Sequence, residues 1–342
     1  MLRISIEKKT LHFKQPAGTS RGVYTERDIW LLTMYDTCSP ENVGVGECAP
    51  LPDLSCDASD NYEKRLREIC KVVEQTGRID GSLLSPYPSM LFGLETAYLN
   101  MKNGRYLFDT PFSHGRCGIP INGLVWMGTA EEMNLRMEEK IKAGFSCVKL
   151  KIGAIDFESE LALVKSIRKR FSKDVIELRV DANGGFSPAE AMARLEVLAR
   201  YDIHSIEQPI RQKQWSEMAR LCSVTPLPIA LDEELIGVNM KAMKEELLSV
   251  IKPQYIVLKP TLHGGMRGTE EWVALARQHG IGSWITSALE GSVGLNAVAQ
   301  LTSHVYGDDI EFAQGLGTGM LYTDNMPMTR EIRENKIWIR EA

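Results

Sequence analysis

The sequence predicts an α/β protein in two parts: a (β/α)7β-type TIM barrel and a separate α+β unit. From Cys117 onward, strand-like and helix-like segments alternate evenly, as a parallel barrel requires. Before that point the strands come first and the helices follow, which is typical of a separate α+β unit. Charged residues also recur at the carboxyl ends of strands, where barrels carry their chemistry. The predicted limits are 1–112, completed by 321–342, for the α+β unit and 113–320 for the barrel.

Composition excludes several classes of function. The 342 residues are 44% hydrophobic and 25% charged with a net charge of -5, so no basic surface for nucleic acid is indicated. No apolar run approaches the ~20 residues of a membrane helix, and we expect a cytoplasmic monomer or homo-oligomer. Seven scattered cysteines without a Cys-x-x-Cys pair, and six dispersed histidines, predict neither disulfides nor a zinc site.

The N-terminal region predicts strands over Arg3–Ile6 and Asp28–Met34, followed by helices over Ala58–Gln75 and Ser89–Met101. The polar segment Gly18–Arg27 between the two strands is expected to be a flexible loop. It is either a plain connection or a lid, and a lid needs a site beneath it.

The barrel prediction consists of eight strands with seven helices between them. The strands are Ile119–Val125, Cys147–Ile152, Val175–Asp181, Ile203–Glu207, Ile229–Asp232, Tyr255–Lys259, Ser283–Ser287 and Ile310–Ala313. The helices are Glu131–Ala143, Phe157–Arg170, Pro188–Tyr201, Gln214–Cys222, Met240–Ser249, Thr269–His279 and Val293–His304. An open doubly wound sheet is the rival, but such sheets rarely run to eight even units. The alternating segment Lys336–Arg340 is expected to return to the N-terminal unit.

The second predicted barrel strand carries two lysines. Side chains alternate along a strand, so Lys149 and Lys151 point to the same side. Two neighbouring ammonium groups lower each other's pKa unless an anion or a metal-bound substrate lies between them. An edge strand with one solvated face explains this segment alone equally well.

Other strand ends carry carboxylates. Asp181, Glu207 and Asp232 follow three successive strands, and Lys259 ends the next one. Each residue alone has an ordinary explanation as a turn, a cap or an exposed strand end. Together they require polar residues to recur by accident at the same end of adjacent strands. Converging carboxylates repel one another and need a cation, for which oxygen ligands favour Mg²⁺, with Mn²⁺ as the alternative.

A metal flanked by lysines suits removal of a proton next to a carboxylate. The cation stabilises the enediolate that develops, and a lysine serves as the base. A Schiff-base aldolase needs one lysine and no metal, so the carboxylates count against that class. A barrel that only binds a ligand is a further alternative, and the complete set of metal ligands and lysines argues against it.

These residues resemble the enolase superfamily, in the muconate-lactonizing-enzyme-like subgroup that has Lys-x-Lys, three carboxylates and a further lysine on successive strands. The resemblance implies that the barrel is catalytic and that the α+β unit is a capping domain whose mobile loop is Gly18–Arg27. Gly46–Pro52, Ile121–Trp126 and Thr286–Ser292 look most like one branch of that superfamily. The branch dehydrates 2-succinyl-6-hydroxy-2,4-cyclohexadiene-1-carboxylate to 2-succinylbenzoate in menaquinone biosynthesis.

The resemblance also implies a role for each residue. Asp181, Glu207 and Asp232 are implied to bind magnesium, which chelates the ring carboxylate. Lys151 is implied to take the α-proton, with Lys259 facing it across the substrate. Lys149, a third catalytic residue by the resemblance, is implied to lower the pKa of Lys151. The residues implied to bind the small-molecule carboxylate substrate are Arg179, Asn183, Ser287, Gly315 and Gly317.

Two features bear on the substrate. Relatives often carry two serines where this chain has Thr286-Ser287, and threonine keeps the hydroxyl, so we expect binding of the succinyl carboxylate to survive. N-succinylamino acid racemases and dipeptide epimerases use the same residues, with two opposed lysines. A dipeptide epimerase should present acidic residues on the eighth strand, whereas Ala313–Gly319 is neutral and rich in glycine, which suits an anionic group held by backbone N–H groups.

Overall fold

The computed structural model describes residues 1–19, 22–125, 129–153, 156–307, 310–327 and 330–340. Its strands are β1 Leu2–Thr19, β2 Gly22–Asp36, β3 Ser39–Cys48, β4 Ile119–Pro120, β5 Gly123–Val125, β6 Cys147–Lys151, β7 Glu177–Asp181, β8 Ser205–Glu207, β9 Ile229–Leu231, β10 Tyr255–Leu258, β11 Gly282–Ile285, β12 Arg330–Arg333 and β13 Lys336–Ile339. Its helices are α1 Tyr62–Thr76, α2 Pro88–Asn103, α3 Ala130–Lys142, α4 Phe157–Arg170, α5 Pro188–Leu198, α6 Trp215–Val224, α7 Lys241–Ile251, α8 Gly265–Gln278 and α9 Ser292–Tyr306. Within these ranges, none of the helices is both long and apolar enough to cross a membrane.

The N-terminal unit is an antiparallel sheet, ordered β1-β2-β3, with α1 and α2 packed on one face. Leu32 and Met34 of the sheet meet Leu66 of α1 and Leu94 of α2 in a buried cluster. Burial of such side chains is the main force that holds the unit together.

The prediction of a flexible loop over Gly18–Arg27 is wrong for the residues that the structure describes there. β1 continues to Thr19 and β2 begins at Gly22, while Ser20 and Arg21 lie outside the described residues. The third strand pairs with β2 only from Trp30 onward, so the far end of the hairpin has two strands. Most of the described residues there are polar and exposed, although Ala17 and Arg27 are buried, and polarity alone cannot distinguish such strands from a loop.

The barrel sheet holds seven parallel strands, β5 to β11, paired in sequence order. The alternative of an edge strand for the two-lysine segment is wrong, because β6 lies between β5 and β7. Val148 and Leu150 are fully buried in the main core, whereas Lys149 and Lys151 take the opposite face, toward the barrel interior. The two lysines therefore point the same way, as predicted.

The predicted eighth strand, Ile310–Ala313, is not a strand in the structure. Gln314 and Gly315 close the barrel instead, through single bridges to Ile121 and Thr286. The Gln314 N–H donates to the carbonyl of Pro120 at 2.8 Å, and the Gly315 N–H donates to that of Ile285 at 2.9 Å. Because only two residues close the barrel, the sequence has no alternating apolar pattern there from which the position of this closure could be predicted.

The C-terminal tail divides between the two units. β13 forms where Lys336–Arg340 was predicted, but it pairs with β12 and β4 at the start of the barrel and not with the N-terminal sheet. The segment before β12 contacts the N-terminal unit instead: the Lys14 N–H donates to the Leu321 carbonyl at 2.8 Å. The domain limits themselves stay a prediction.

Two buried glutamates of the N-terminal unit dock on barrel helices. Glu47 accepts hydrogen bonds from the N–H groups of Gly291 and Gly294, at 2.6 and 2.8 Å, at the start of α9. Glu95 accepts one from Met266 at 2.6 Å, at the start of α8. Free N–H groups and the helix dipole make a helix N-terminus a favourable place for a carboxylate. Burial nevertheless raises the pKa of both Glu47 and Glu95 to about 7.

This pKa shift predicts how stability depends on pH. An unfolded glutamate titrates near pH 4.5. Between that pH and about 7 the folded protein keeps a proton that the unfolded chain loses, so stability is largest below the window and falls as pH rises through it. Glu95→Gln should therefore flatten the dependence by roughly 3 kcal/mol at most. Urea unfolding at pH 5 and pH 7.5 measures this, with the exposed Glu246→Gln as control; an unchanged slope in Glu95→Gln would contradict the assignment.

Candidate active site

The predicted catalytic and metal-binding residues meet at the carboxyl end of the barrel strands. The register pairs Lys151 with Asp181, and Asp181 with Glu207, on adjacent strands. Asp232 directly follows β9 and Lys259 directly follows β10. Because parallel strands end at one face of a barrel, side chains that are distant in sequence become neighbours there.

Lys149 and Lys151 bind carboxylates on the neighbouring strands. The Lys149 Nζ lies 2.9 Å from the Glu207 Oε2 and 3.3 Å from the Asp181 Oδ2. The Lys151 Nζ lies 2.5 Å from the same Asp181 oxygen and donates to the Asn183 Oδ1 at 2.8 Å. Asp181 thus sits between two ammonium groups, and Asn183 fixes the end of Lys151.

The opposite side of the site repeats this pairing. The Lys259 Nζ donates to the Asp232 Oδ2. The amide of Asn183 donates to the Glu233 Oε1 at 2.8 Å, which links the two sides. Glu233 is 4% exposed and lines the cavity described below.

The pKa shifts follow from burial and from these neighbours. Burial, reinforced by the charge of Asp181, raises the pKa of Glu207 to about 8. Burial also opposes ionisation of Asp181, but Lys151 and Lys149 hold the pKa of that carboxyl well below its usual range. Burial alone would lower the pKa of Lys149, yet Glu207 and Asp181 raise it above the ordinary lysine value. The site is therefore a set of strongly coupled opposite charges out of water.

The site contains carboxylate oxygens that could bind a metal ion. Among the residues that the structure describes, no three His, Cys, Asp or Glu side chains are positioned to hold one ion, because the carboxylates face lysines. The Asp232 Oδ1 and the Glu233 Oε2, however, are buried without a hydrogen-bond partner. Buried carboxylate oxygens without donors are the hard ligands that Mg²⁺ prefers. The chemistry of the donors therefore fits a divalent cation.

A cavity of about 440 Å³ opens beside these residues. Of the predicted residues it is lined by Lys149, Lys151, Asn183, Lys259, Ser287, Gly315 and Gly317. Tyr24 and Gln15 of the N-terminal hairpin and Leu51 line its mouth, so the hairpin lies over a site. Residues brought from both units therefore enclose one space that can hold a small molecule.

Arg179 is not brought to this cavity, contrary to the prediction that it contacts substrate. It is 2% exposed, its Nη1 donates to the Ala313 carbonyl at 2.9 Å, and it lies over the Trp284 ring at 4.2 Å. Residues two apart on a strand share a face but lie roughly 6.6 Å apart along it. Arg179 therefore lies one layer deeper than Asp181, in the closed end of the barrel with its partner Glu177.

Ser287 lies at the cavity wall, but its hydroxyl is already engaged. It donates to the Glu290 Oε2 at 2.6 Å and accepts from the Thr318 hydroxyl at 2.8 Å. The Thr286 hydroxyl donates to the Gly315 carbonyl at 3.0 Å. These two hydroxyl protons are therefore directed at protein oxygens and not into the cavity.

Several residues that organise the site were not identified from the sequence. Glu290 is fully buried and accepts from Ser287 and Thr261. Gln208 accepts the N–H of Asp232 at 3.2 Å and so fixes the turn that presents this carboxylate. His263 accepts the N–H of Lys259 at 2.9 Å. Only Glu290 carried a sequence signal, as an acidic residue inside the motif Thr286–Ser292; the others act through backbone contacts that spacing does not reveal.

The two predicted substrate-binding glycines differ in the space around them. A Cβ added to Gly315 would lie 1.9 Å from the Thr286 Oγ1, whereas one added to Gly317 would first meet the Asn122 carbonyl at 3.7 Å. Gly315→Ala should therefore lower the free energy of unfolding by roughly 1–3 kcal/mol through overpacking and displace the strand end. Gly317→Ala is the matched control and should fold like the parent. Thermal unfolding measures the stability of both variants, and an equal loss of stability in the two would contradict this account.

A comparison with known proteins defines the class. The family model described as enolase C-terminal domain-like matches residues 132–321, and the chain belongs to the enolase superfamily. Over 95% of its length it is 43% identical to the o-succinylbenzoate synthase of Desulfotalea psychrophila, covering 96% of that enzyme. The crystal structure of MenC from the same bacterium superposes with a TM-score of 0.83 at 38% identity, covering 99% of both chains.

A more distant relative shows the fold alone. The L-Ala-D/L-Glu epimerase of Bacillus subtilis superposes with a TM-score of 0.84 at 20% identity, covering 98% of this chain and 95% of that one. These superpositions confirm the predicted class, a TIM-type barrel with an N-terminal capping region. They also show that shape does not separate dehydratases from epimerases, so the substrate must be argued from sequence similarity and from the site.

Proposed function

We propose that this protein dehydrates 2-succinyl-6-hydroxy-2,4-cyclohexadiene-1-carboxylate to 2-succinylbenzoate, as a lyase of menaquinone biosynthesis. The observation that carries the proposal is the 43% identity with the Desulfotalea psychrophila enzyme over nearly the whole of both chains. The site supports it, because lysines flank a group of buried carboxylates at a cavity for a small molecule. We place the enzyme in the cytoplasm, acting without a nucleic-acid or membrane partner.

Asp181, Glu207 and Asp232 would hold Mg²⁺, or Mn²⁺ in its place. The bound cation would stabilise the negative charge that develops on the ring carboxylate of the substrate. Glu233, with its unpartnered buried oxygen, adjoins this group. A bound cation would compete with Lys151 for Asp181, which would couple metal binding to the availability of the base.

Lys151 is the proposed base. Its Nζ takes the α-proton and, as the conjugate acid, gives a proton to the hydroxyl that leaves as water, so one group serves both steps. Asn183 holds the Nζ at 2.8 Å and thereby aims it, and this amide is fully engaged between Lys151 and Glu233. Asn183 therefore acts on substrate through Lys151. Lys259, on the opposite side, supplies a fixed positive charge, and Lys149 keeps Glu207 in place.

The neutral end of the cavity is suited to the succinyl arm of the substrate. The N–H of Gly315 is used by the Ile285 carbonyl. The N–H of Gly317 has no acceptor within the described part of the chain, so it can bind a substrate oxygen. Of the two glycines, Gly317 is the donor and Gly315 provides the space that Thr286 occupies.

A second candidate activity is racemisation of N-succinylamino acids. The observation that favours it is that Lys151 and Lys259 both line the cavity, from strands on opposite sides of the carboxylates. Racemisation needs a proton donor or acceptor on each face of the α-carbon, and two lysines can supply both. The neutral end of the cavity argues against a dipeptide, whose ammonium group needs an acidic partner.

A comparison of kcat/KM tests the proposal. The purified protein with Mg²⁺ is given the cyclohexadiene substrate, an N-succinylamino acid and L-Ala-L-Glu in separate assays. We expect 2-succinylbenzoate to form with the highest kcat/KM of the three. Epimerisation of the dipeptide without any 2-succinylbenzoate would overturn the proposal.

A further inference from the structure

Asn122 projects into the barrel interior near the neutral end of the cavity. It lies between β4 and β5, where its N–H donates to the Gln314 carbonyl at 3.0 Å and fixes its backbone. Gly123 faces outward, because a Cβ there would meet Lys140 of α3 at 3.1 Å. By alternation, Asn122 and Leu124 take the inward face, and Leu124 is the neighbour of Lys149 in the sheet.

The side-chain amide of Asn122 has no partner. The residue is 6% exposed and lines the cavity, and no described residue makes a hydrogen bond with its Oδ1 or Nδ2. Neither atom is among the fully buried side-chain atoms without a partner, so the amide is open to the cavity and can form a hydrogen bond there. The amide faces the cavity that receives the substrate, so its partner is a group that enters there.

The surroundings define which group this is. Gly317 adjoins Asn122, since a Cβ there would lie 3.7 Å from the Asn122 carbonyl, and its N–H is also unused. The hydroxyl protons of Thr286 and Ser287 point at protein oxygens. Two donors at this end are the Asn122 Nδ2 and the Gly317 N–H, neutral groups suited to a carboxylate, and Arg136 and Lys140 of α3 line the cavity beside Gly123 and supply positive charge. The lysines and carboxylates lie at the other end of the cavity, where the ring carboxylate of the proposed substrate would bind.

We propose that Asn122 binds the carboxylate at the end of the succinyl arm through its Nδ2 and thereby selects substrates that carry this arm. The inference rests on the proposed function, whose substrate has one carboxylate on the ring and one on the arm. Asn122 is a specificity residue that contacts the end of the substrate remote from the reacting carbon, and it takes no part in proton transfer.

Binding of two aromatic ligands tests the inference. The product 2-succinylbenzoate and its analogue 2-butanoylbenzoate differ only in the end of the arm, where a methyl group replaces the carboxylate. Dissociation constants are measured by calorimetry with Mg²⁺ for the parent, Asn122→Ala, Asn122→Asp and the exposed control Asn42→Ala. We expect Asn122→Ala to weaken 2-succinylbenzoate roughly 10- to 100-fold, since hydrogen bonds to charged groups are the stronger ones, and to leave 2-butanoylbenzoate unchanged. Asn122→Asp should weaken the product further by repulsion.

Kinetics give a second readout that a purely structural role would not produce. Asn122→Ala should raise KM for the cyclohexadiene substrate while kcat stays within a fewfold of the parent. Equal weakening of both ligands by Asn122→Ala, or no weakening of either, would overturn the inference and leave the proposed function standing. Failure of the parent protein to bind either ligand would instead overturn the proposed function and this inference with it.

Discussion

Asp181→Asn, Glu207→Gln and Asp232→Asn should each lower kcat by roughly 10³-fold or more, because each removes one charge from the group that would hold the cation opposite the developing negative charge. Alanine at these positions should also abolish activity. In the structure, however, these carboxylates are paired with Lys149, Lys151 and Lys259. An alanine substitution leaves the ammonium group of the paired lysine buried without a partner, which lowers the free energy of unfolding by about 3–5 kcal/mol.

The amide variants separate the loss of the cation from the loss of the fold. Steady-state kinetics with added Mg²⁺ measure the effect, and thermal unfolding checks that each variant is folded. The exposed Asp174→Ala is the control and should keep parental activity. A chelator should remove activity reversibly from the parent. Full activity in metal-free buffer, or in any one of the three amide variants, would rule out the proposed mechanism.

Exchange of the substrate α-proton should distinguish the two lysines. Lys151→Arg is expected to lose both this exchange and turnover, by roughly 10³-fold or more, because arginine keeps the charge but is never deprotonated in proteins. Lys259→Arg should retain measurable dehydration if Lys259 acts only as a fixed charge. Deuterium incorporation in heavy water, followed by NMR, measures exchange beside turnover.

The lysine variants also separate the two candidate activities. A dehydration needs a base on one face of the ring, whereas a racemisation needs a proton donor or acceptor on both faces. Complete and equal loss of exchange in Lys151→Arg and Lys259→Arg would show that Lys259 transfers a proton as well. The racemase would then be the better description of the site.

Much of this site could be predicted because strand ends follow simple rules. Alternation places Lys149 and Lys151 on one face, and parallel strands bring Asp181, Glu207 and Asp232 to one end of the barrel. Neither inference needs contacts between distant side chains. The same alternation misplaced Arg179, because a shared face does not give a shared depth, and the layer of a side chain depends on the tilt of the strands.

The remaining features depend on contacts between distant segments. The short closure at Gln314 and Gly315 forms because Gly315 leaves room for Thr286, which no local pattern reveals. The hairpin at Thr19 and Gly22 is polar because it projects beyond the third strand, and it was therefore predicted as a loop. The open amide of Asn122 follows only from the lack of a hydrogen-bond partner among the described residues, which a sequence cannot show.

The most direct test of the account is a calorimetric titration of the metal-free protein with Mg²⁺ at pH 7.5, without substrate. The account predicts one site per chain, lost in Asp181→Asn, Glu207→Gln and Asp232→Asn and kept in the exposed Asp174→Ala. No saturable binding in the parent, or binding that survives unchanged in the three amide variants, would contradict the central claim that these carboxylates hold the cation.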